Sequence, residues 1–312
     1  MDLNLKIGVV GYGEVGKILS HALREKGLAW VGAWDLLFDN AVRGPAMKAR
    51  AREDRIEPCE SLAALLARAD IVISAVTAAN ALEVAREAAP CIRSSVFFLD
   101  LNSASPTTKA EAAKLIDSAG AHYVEAGVMA SVPPYGVAVP MLLGGVRAPE
   151  LAEKLAPFDF DMTVVGEKIG VASAIKMCRS IFIKGLEAIV IESFTTARRY
   201  GVEQQVIASL AETYPEIDWE EQGSYLFSRV AHHGARRAEE MREAATTVRE
   251  AGFDPWMSAA TADKQAWIAA LTRSGWFRDL AAHPAWRDYA DKIIAAADNR
   301  RGIAPKRSGG TS

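Results

Sequence analysis

Three glycines near the start of the chain are spaced in a way that could hold a phosphate group. Gly11, Gly13 and Gly16 form the pattern G-x-G-x-x-G directly after an apolar run that ends at Val10. In this pattern the first glycine permits a tight turn, the second lets the backbone approach a pyrophosphate, and the third lets a helix pack closely on a strand. The sequence therefore predicts a dinucleotide site formed by the whole turn, Gly11-Tyr12-Gly13-Glu14-Val15-Gly16.

A carboxylate after the second apolar run bears on which dinucleotide binds. Asp35 follows the run 29–34, and the two residues after it are leucines. A carboxylate at this position accepts hydrogen bonds from ribose hydroxyls and repels a 2′-phosphate, and leucines offer no cation to hold such a phosphate. The sequence therefore favours NAD. Basic residues between Lys48 and Arg55 keep NADP as an alternative, although a solvated helix face also explains them.

A lysine in a long predicted helix has the chemistry of a proton-transfer group. Lys176, Ser180 and Glu187 recur at helical spacing, with Ile183 or Lys184 between the last two. Burial beside an apolar stripe would disfavour the charged form of the Lys176 amine. Periodicity alone favours the alternative that the ammonium reaches water at the helix edge. The stripe that we expect to be buried consists of Val171, Ile175, Cys178, Phe182 and Ile189.

The elements that position these residues change in character near Gly166. Before this point strand and helix patterns alternate, as a parallel sheet with crossover helices requires. Strands are predicted at 5–10, 29–34, 70–76, 95–99 and around Tyr123, with two more ending at Leu143 and Val165, and helices at 81–89 and 106–119. After Gly166 the pattern is almost entirely helical, with helices predicted within 168–200 and at 203–212, 224–251, 255–272 and 283–297.

These patterns predict an α/β fold with two domains. We expect an N-terminal Rossmann domain, a doubly wound parallel sheet over residues 1–166 that binds NAD(P). An all-α C-terminal domain for substrate binding and dimerisation follows over 167–300, joined by a long inter-domain helix. The charged, glycine- and serine-rich segment 301–312 is expected to be a flexible tail.

Composition limits the partners. The 312 residues are 50% hydrophobic and carry a net charge of −3, which gives no reason to expect nucleic acid or an anionic membrane as a partner. Three cysteines without metal-ligand spacing and no cationic leader predict a cytoplasmic protein without a metal. The uncharged run 126–146 is interrupted by prolines and glycines, so we expect no membrane span. The long helix and tryptophan-rich apolar helices favour a homodimer.

Four segments in order resemble the β-hydroxyacid dehydrogenases, which are the 3-hydroxyisobutyrate and 6-phosphogluconate dehydrogenase-like enzymes. The segments are the glycine turn, Asp100-Leu101-Asn102-Ser103-Ala104-Ser105-Pro106, the segment 127–131, and Gly170-Val171-Ala172-Ser173-Ala174-Ile175-Lys176. The likeness covers nearly the whole chain and is greatest to a phosphogluconate dehydrogenase-like branch with a divergent C-terminal domain. It implies NAD(P)-dependent oxidation of a small anionic 3-hydroxy acid, or reduction of the corresponding carbonyl compound, by hydride transfer.

The resemblance implies roles for individual residues. Lys176 matches the proton-transfer lysine of the family, the general acid/base. Asn102 and Ser103 match the segment beside nicotinamide and substrate. The segment that binds the substrate carboxylate corresponds to 126–131, from which we select Gly127, Val128 and Met129. The cofactor residues would be the glycine turn, Asp35 and Asn102 with Ala75 and Val76, which end a predicted strand.

Two departures from the family pattern concern the substrate. The family usually reads K-x-x-N-N, and here Arg179 and Ser180 stand in place of the two asparagines. It usually reads D-A-P-V-S-G-G where this chain has Glu125-Ala126-Gly127-Val128-Met129-Ala130-Ser131. Arg179 could clamp a carboxylate or phosphate, or form an ion pair elsewhere. His233 and Arg237, from the C-terminal half, could complete an anion site, or could serve only helix faces and dimer contacts.

Two other functions fit the same architecture. Imine reductases share it, but they commonly replace the lysine that this chain retains at Lys176. A non-catalytic dinucleotide-binding sensor or scaffold is the second alternative.

Overall fold

The computed structural model describes residues 2–301. Its strands are β1 (Lys6–Val10), β2 (Trp30–Trp34), β3 (Glu57–Pro58), β4 (Ile71–Ser74), β5 (Phe97–Asp100), β6 (His122–Val128), β7 (Met141–Gly144) and β8 (Met162–Gly166). Its helices are α1 (Glu14–Glu25), α2 (Gly44–Glu53), α3 (Leu62–Leu66), α4 (Ala81–Ala88), α5 (Pro106–Ser118), α6 (Val132–Tyr135), α7 (Ala148–Leu155), α8 (Val171–Tyr200), α9 (Glu203–Thr213), α10 (Trp219–Glu250), α11 (Trp256–Arg273) and α12 (Trp286–Arg301). Of the predicted flexible tail 301–312, only Arg301 is among the described residues, and it is the last residue of α12.

Short local signals set many of these boundaries. Ser61 precedes α3 and its side chain accepts a hydrogen bond from the N–H of Ala64, which replaces a bond that the first helical turn lacks. Ser105 caps α5 in the same way. Gly27 and Gly120 follow α1 and α5 with φ of 90° and 83°, a conformation that favours glycine. A glycine just after the last turn is a local signal for a helix end, so the sequence itself indicates where both helices stop.

The strands form one sheet in the order β3-β2-β1-β4-β5-β6-β7-β8. The first six in this order are parallel, β7 pairs antiparallel with β6, and β8 is parallel to β7. The order reverses between β1 and β4, and in doubly wound sheets ligands bind outside the carboxyl ends of strands at such a reversal. The predicted α/β fold is confirmed, with one refinement. Residues 129–140 join β6 to β7 through α6 and a 3-10 turn at Gly136–Ala138, and β7 runs antiparallel to β6.

Two compact units make up the described chain. The sheet unit contains residues 2–179 and Thr246–Gly252, and the helical unit contains Ser180–Ala245 and residues 253–301. Strands give way to helices near Gly166 as predicted, but the two units divide within α8, because the packing partners of a helix can change along its length. The domain limits 1–166 and 167–300 stay a prediction.

Each unit has its own apolar interior. In the sheet unit, buried clusters cover both faces of the sheet, as parallel strands require. One cluster includes Leu19 and Leu23 of α1 with Leu151 of α7, and the other includes Leu65 of α3 with Ile116 of α5. The interior of the helical unit is aromatic, with Phe194, Trp219, Phe227, Trp286 and Tyr289 among its buried residues.

The faces of α8 differ from the prediction. Most of the apolar stripe that we expected to be buried is exposed, including Ile175 (40%), Phe182 (71%) and Ile189 (51%). Part of the polar row is buried instead, namely Ser180, Lys184 and Glu187. The expectation of a buried stripe was wrong because two sides of α8 are apolar, and residues such as Val190 and Phe194 pack into the interior of the helical unit.

The run 126–146 does not form a single helix. It contains the end of β6, α6, a 3-10 turn at Gly136–Ala138 and β7. Within residues 2–301, no helix has both the length and the apolar character needed to cross a membrane.

Candidate active site

The glycine turn lies between the carboxyl end of β1 and the start of α1. Gly11 has a φ of 94°, and a Cβ there would lie 2.5 Å from the carbonyl oxygen of Ala75. A Cβ on Gly16 would lie 1.9 Å from the carbonyl oxygen of Gly11, whereas the corresponding position on Gly13 has no atom within 4 Å. The turn is therefore tightly packed at its first and third glycines and open at the second. An open backbone beside a helix N-terminus suits a pyrophosphate.

Asp35 ties this turn to the end of β2. Its Oδ2 accepts a hydrogen bond from the N–H of Tyr12 at 2.7 Å, and its Oδ1 accepts one from the N–H of Leu37 at 2.8 Å. Each carboxylate oxygen has a second lone pair, so the group can still accept hydrogen bonds from a ribose. Asp35 thus combines a structural role in the turn with the chemistry of a ribose acceptor.

Three other residues of the turn differ in exposure. Glu14 is exposed and Val15 half-buried. Tyr12 is fully buried, with its ring centroid 5.8 Å from that of Phe38. Its hydroxyl has no hydrogen-bond partner among residues 2–301. Burial, with the charge of Asp54 as a smaller cause, raises the pKa of Tyr12 to about 12.

Asn102 connects the ends of two neighbouring strands. Its side-chain oxygen accepts a hydrogen bond from the N–H of Val76 at 2.7 Å, and its Nδ2 donates to the hydroxyl of Ser74 at 3.0 Å. Its own N–H donates to Asp100 Oδ1 at 2.8 Å. Ala75 continues the ladder between β1 and β4, since its N–H donates to the carbonyl of Val10. These bonds hold the segment after β5 beside the segment after β4.

Asp100, Lys109 and Tyr123 form a buried charged cluster beside this segment, and the sequence analysis did not predict it. Lys109 Nζ lies 2.9 Å from Asp100 Oδ1, and both side chains are 1% exposed. The hydroxyl of Tyr123 donates to Asp100 Oδ2 at 2.6 Å. Burial and the charge of Asp100 raise the pKa of Tyr123 well above its usual value. Helical spacing could have indicated Lys109, because it shares a face of α5 with buried Ala112 and Ile116.

The long helix and the serine segment meet at Lys176. Its Nζ donates to Ser103 Oγ at 2.6 Å, and the lysine side chain is half-buried. The two residues are far apart in sequence, and tertiary structure brings them together. Lys176 is therefore neither buried in an apolar stripe nor directed wholly to water, because it makes a specific polar contact.

The glycine of β6 allows this helix to approach the sheet. A Cβ on Gly127 would lie 2.9 Å from the carbonyl oxygen of Ala172 and 3.4 Å from the Cβ of Lys176. The next residues, Val128 and Met129, are half-buried. Arg179, one turn beyond Lys176, is exposed. The structure thus brings Ser103, Gly127 and Lys176 together.

A second carboxylate that the sequence did not indicate holds the serine segment. Ser105 Oγ donates to Glu250 Oε1 at 2.6 Å, and the N–H of Thr107 donates to Glu250 Oε2 at 3.2 Å. Glu250 is the last residue of α10 and belongs to the sheet unit. No local pattern connects residues so distant in sequence, so only the tertiary structure identifies this contact.

The remaining predicted substrate residues lie in the helical unit. Ser180 Oγ accepts a hydrogen bond from Lys184 Nζ at 3.0 Å, and Arg237 forms a buried ion pair with Glu187. His233 is exposed on α10. Partial burial and the Arg236 cation lower the pKa of His233. The predicted roles of Ser180, His233 and Arg237 stay predictions, and the guanidinium of Arg237 is engaged by Glu187.

Comparison with known proteins identifies two sequence families in this chain. Residues 6–157 match the NAD binding domain of 6-phosphogluconate dehydrogenase, and residues 197–268 match a domain of unknown function, DUF1932. A conserved hypothetical protein from Sinorhizobium meliloti 1021 is 38% identical, over 94% of this chain and 97% of its own, with a TM-score of 0.76. The conserved protein MTH1747, described as structurally similar to 3-hydroxyacid dehydrogenases, is 31% identical over 86% of this chain and 98% of its own, with a TM-score of 0.67.

The chain belongs to the β-hydroxyacid dehydrogenase family. The fold of the family is also seen in the 3-hydroxyisobutyrate dehydrogenase of Mycobacterium tuberculosis, at 18% identity over 93% of this chain and 99% of that one, with a TM-score of 0.69. The predicted resemblance is confirmed, as is the dinucleotide-binding character of the N-terminal part. Family and fold together make this chain a dinucleotide-binding oxidoreductase that resembles the 3-hydroxyacid dehydrogenases.

Proposed function

We propose that the protein is an NAD-dependent dehydrogenase that oxidises a small anionic 3-hydroxy acid, or reduces the corresponding carbonyl compound, with Lys176 as the general acid/base. One observation carries the proposal, namely the 2.6 Å hydrogen bond from Lys176 Nζ to Ser103 Oγ. Ser103 immediately follows Asn102, which is bonded to the end of β4. A proton-transfer amine thus lies beside strand ends of a sheet unit whose family binds a dinucleotide.

The chain's own residues suit the proton part of the reaction. The nicotinamide, when bound, supplies the hydride acceptor. A neutral amine at Lys176 has a nitrogen lone pair besides the N–H that it donates to Ser103, so Nζ can accept the proton of the substrate hydroxyl. In the reverse direction the same atom returns the proton to the carbonyl oxygen. Ser103 orients the amine by accepting its hydrogen bond, and its own O–H can donate to the oxygen of the substrate hydroxyl.

An anionic substrate is supported by the residues around Lys176. Arg179 is an exposed cation one turn away on α8 and has the planar donor set that binds carboxylates bidentately. L-serine, which is named with the M. tuberculosis structure, is itself a 3-hydroxy acid with a carboxylate. We include it among the substrates to be tested.

Asp35 supports NAD over NADP. Its carboxylate would lie near the adenosine ribose and repel a 2′-phosphate. Two basic residues of α2 have carboxylate neighbours of their own, since Lys48 Nζ lies 3.7 Å from Asp39 Oδ1 and Arg50 Nε lies 3.3 Å from Asp54 Oδ2. Comparing kcat/KM for the two cofactors tests this choice. A strong preference for NADP would contradict it.

We propose that the active form is a homodimer. Ile175, Phe182 and Ile189 are exposed and recur every seven residues along α8, which is the repeat of a helix that packs along another helix. In a homodimer the same face of the second copy is the natural partner, because a two-fold axis makes the interface self-complementary. Light scattering should give the mass of a dimer, and Phe182→Glu should shift it to a monomer. A monomeric wild type contradicts the proposal.

A panel of hydroxy acids tests the central proposal. Wild-type protein is incubated with NAD and 3-hydroxy acids, including 3-hydroxyisobutyrate and L-serine, and NADH absorbance is recorded. Lys176→Ala should lower turnover by roughly 10²–10⁴-fold while leaving NADH binding intact, because only the acid–base step is lost. Near-normal turnover by Lys176→Ala would remove the lysine from the mechanism. Turnover of cyclic imines alone would indicate an imine reductase, and tight NAD binding without any turnover a sensor.

A further inference from the structure

A buried carboxylate lies at the start of α8, the helix that carries Lys176. Glu125 is on β6 and is fully buried. Its Oε1 accepts hydrogen bonds from the N–H groups of Gly170 at 2.6 Å and Ala172 at 3.1 Å. Its Oε2 accepts from the N–H of Ser173 at 3.3 Å, and the Ser173 hydroxyl donates to the same oxygen. One side chain thus satisfies four donors at one helix end.

This arrangement differs from an ordinary helix cap. The first N–H groups of a helix have no partner within it, and a serine, threonine or aspartate just before the helix usually provides one. Here the acceptor comes from a strand of the sheet, 45 residues earlier than Gly170. The negative charge also interacts favourably with the positive end of the helix dipole. Glu125 therefore ties the first turn of α8 to β6.

Two glycines make room for this contact. A Cβ on Gly144 of β7 would lie 2.5 Å from Glu125 Oε1. Gly127, two residues further along β6, allows the backbone of α8 to approach, since a Cβ there would lie 2.9 Å from the carbonyl oxygen of Ala172. The glutamate and its helix thus occupy space that side chains at either glycine would take.

The position of Lys176 depends on this turn. Lys176 follows Ser173 on α8 by three residues, and its Nζ reaches Ser103 Oγ at 2.6 Å. Ser103 follows β5, which pairs with β6 in the register Asp100 to Glu125. A shift of the first turn of α8 relative to β6 would therefore move the amine relative to Ser103. Misplacement of a catalytic group by about 1 Å can cost on the order of 10²-fold in rate.

We propose that Glu125 is a positioning residue that fixes the first turn of α8 and thereby holds the Lys176 amine against Ser103. The inference rests on the proposed function, in which Lys176 is the general acid/base. Glu125 transfers no proton itself, and its carboxylate is fully occupied by the helix. Its effect on the reaction passes through the backbone of α8.

The test compares three variants. Glu125→Gln keeps the size of the side chain but offers one acceptor oxygen instead of two, so donors at the helix end lose their partner. Ser173→Ala removes only the hydroxyl that donates to Glu125 Oε2. It provides the milder test of the same contact if Glu125→Gln does not fold. Ser61→Ala is the matched control, because it removes a cap from α3 in the same unit, where Ser61 Oγ accepts from Ala64 at 3.1 Å.

The kinetic outcomes separate positioning from general stability. Glu125→Gln should lower kcat by about 10–100-fold with unchanged NADH affinity, since the glycine turn is untouched. Ser173→Ala should lower kcat by about threefold, the effect of one hydrogen bond among several. Ser61→Ala should lower the melting temperature but leave kcat unchanged. Equal kcat losses in Ser61→Ala and Glu125→Gln would overturn the proposal, because both would then reflect stability alone.

A second readout does not require turnover. Lysine amines are acetylated with trace acetic anhydride, and the labelling of Lys176 is measured by peptide mass spectrometry relative to exposed Lys114 of the same sample. Glu125→Gln should raise the relative labelling of Lys176 by about threefold, as expected when one hydrogen bond is lost, and Ser61→Ala should not. Unchanged labelling in Glu125→Gln overturns the positioning role. If no hydroxy acid is turned over, the proposed function fails while this experiment still decides the role of Glu125.

Discussion

Both units of the molecule bury charged side chains, but they use them differently. In the sheet unit, Asp100 is paired with Lys109 and also accepts a hydrogen bond from the backbone of Asn102. In the helical unit, Arg237 is paired with Glu187, whose carboxylate also accepts a hydrogen bond from Gln265 Nε2 at 3.1 Å. The first cluster thus ends on the backbone of a loop, and the second joins side chains of α8, α10 and α11.

This difference separates two uses of a buried ion pair. Burying charge is costly unless the pair is well satisfied, so such pairs are weak evidence for stability in themselves. The Asp100 cluster holds the loop that carries Asn102 and Ser103, and we expect its loss to affect ligand binding as well as folding. The Glu187 cluster holds helices in register, and we expect its loss to affect folding but not NADH binding.

The largest effect is expected from Lys109→Met. This change leaves the Asp100 carboxylate buried without its cation, which should lower the free energy of unfolding by about 3–5 kcal/mol. Because the unpaired Asp100 carboxylate also accepts the N–H of Asn102, a shift of that carboxylate should move Asn102, so NADH affinity and turnover should fall as well. Urea denaturation and NADH fluorescence titration measure the two effects. A variant that loses stability but binds NADH normally would remove the distinction between the clusters.

Arg237→Met should lower stability by a similar amount, about 3–5 kcal/mol, because Glu187 is then left buried without its cation. Here NADH affinity should not change, whereas the substrate KM tests the predicted binding role of Arg237. The same denaturation and titration experiments apply, with steady-state kinetics added. A large increase in KM at unchanged stability would instead support the predicted substrate-binding role of Arg237.

The smallest effect is expected from Tyr12→Phe. The Tyr12 hydroxyl is buried without a partner within residues 2–301, so its removal should leave stability at neutral pH unchanged or raise it by up to about 1 kcal/mol. The folded state raises the pKa of Tyr12 from about 10 to about 12. The Tyr12 hydroxyl therefore makes stability independent of pH below pH 10 and lowers the free energy of unfolding as the pH rises from 10 toward 12. Unfolding free energies of the two proteins from about pH 8 to 11 should show a shallower decline for Tyr12→Phe. Equal declines would contradict the assigned pKa.

Features that depend on neighbouring residues could be predicted from the sequence. The strand, glycine turn and helix that begin the chain are encoded within a short segment, because turn geometry and helical periodicity are local properties. The same holds for the stops at Gly27 and Gly120 and for the change from strands to helices near Gly166. Lys176 was found from helical spacing together with family resemblance.

Features that depend on which surfaces of the folded chain meet could not be predicted from the sequence. Periodicity shows that α8 has an apolar face but not which of its faces packs inward, and the exposed stripe at Ile175 and Phe182 reversed that expectation. The hydrogen bonds that Glu125 accepts from Gly170 and Glu250 accepts from Ser105 join segments distant in sequence, and no local pattern encodes such contacts. The chemical types of the site residues were therefore set by short segments of chain. The contact between Lys176 and Ser103 was decided only by folding, because hydrogen bonds between distant residues require the sheet and helix to pack first.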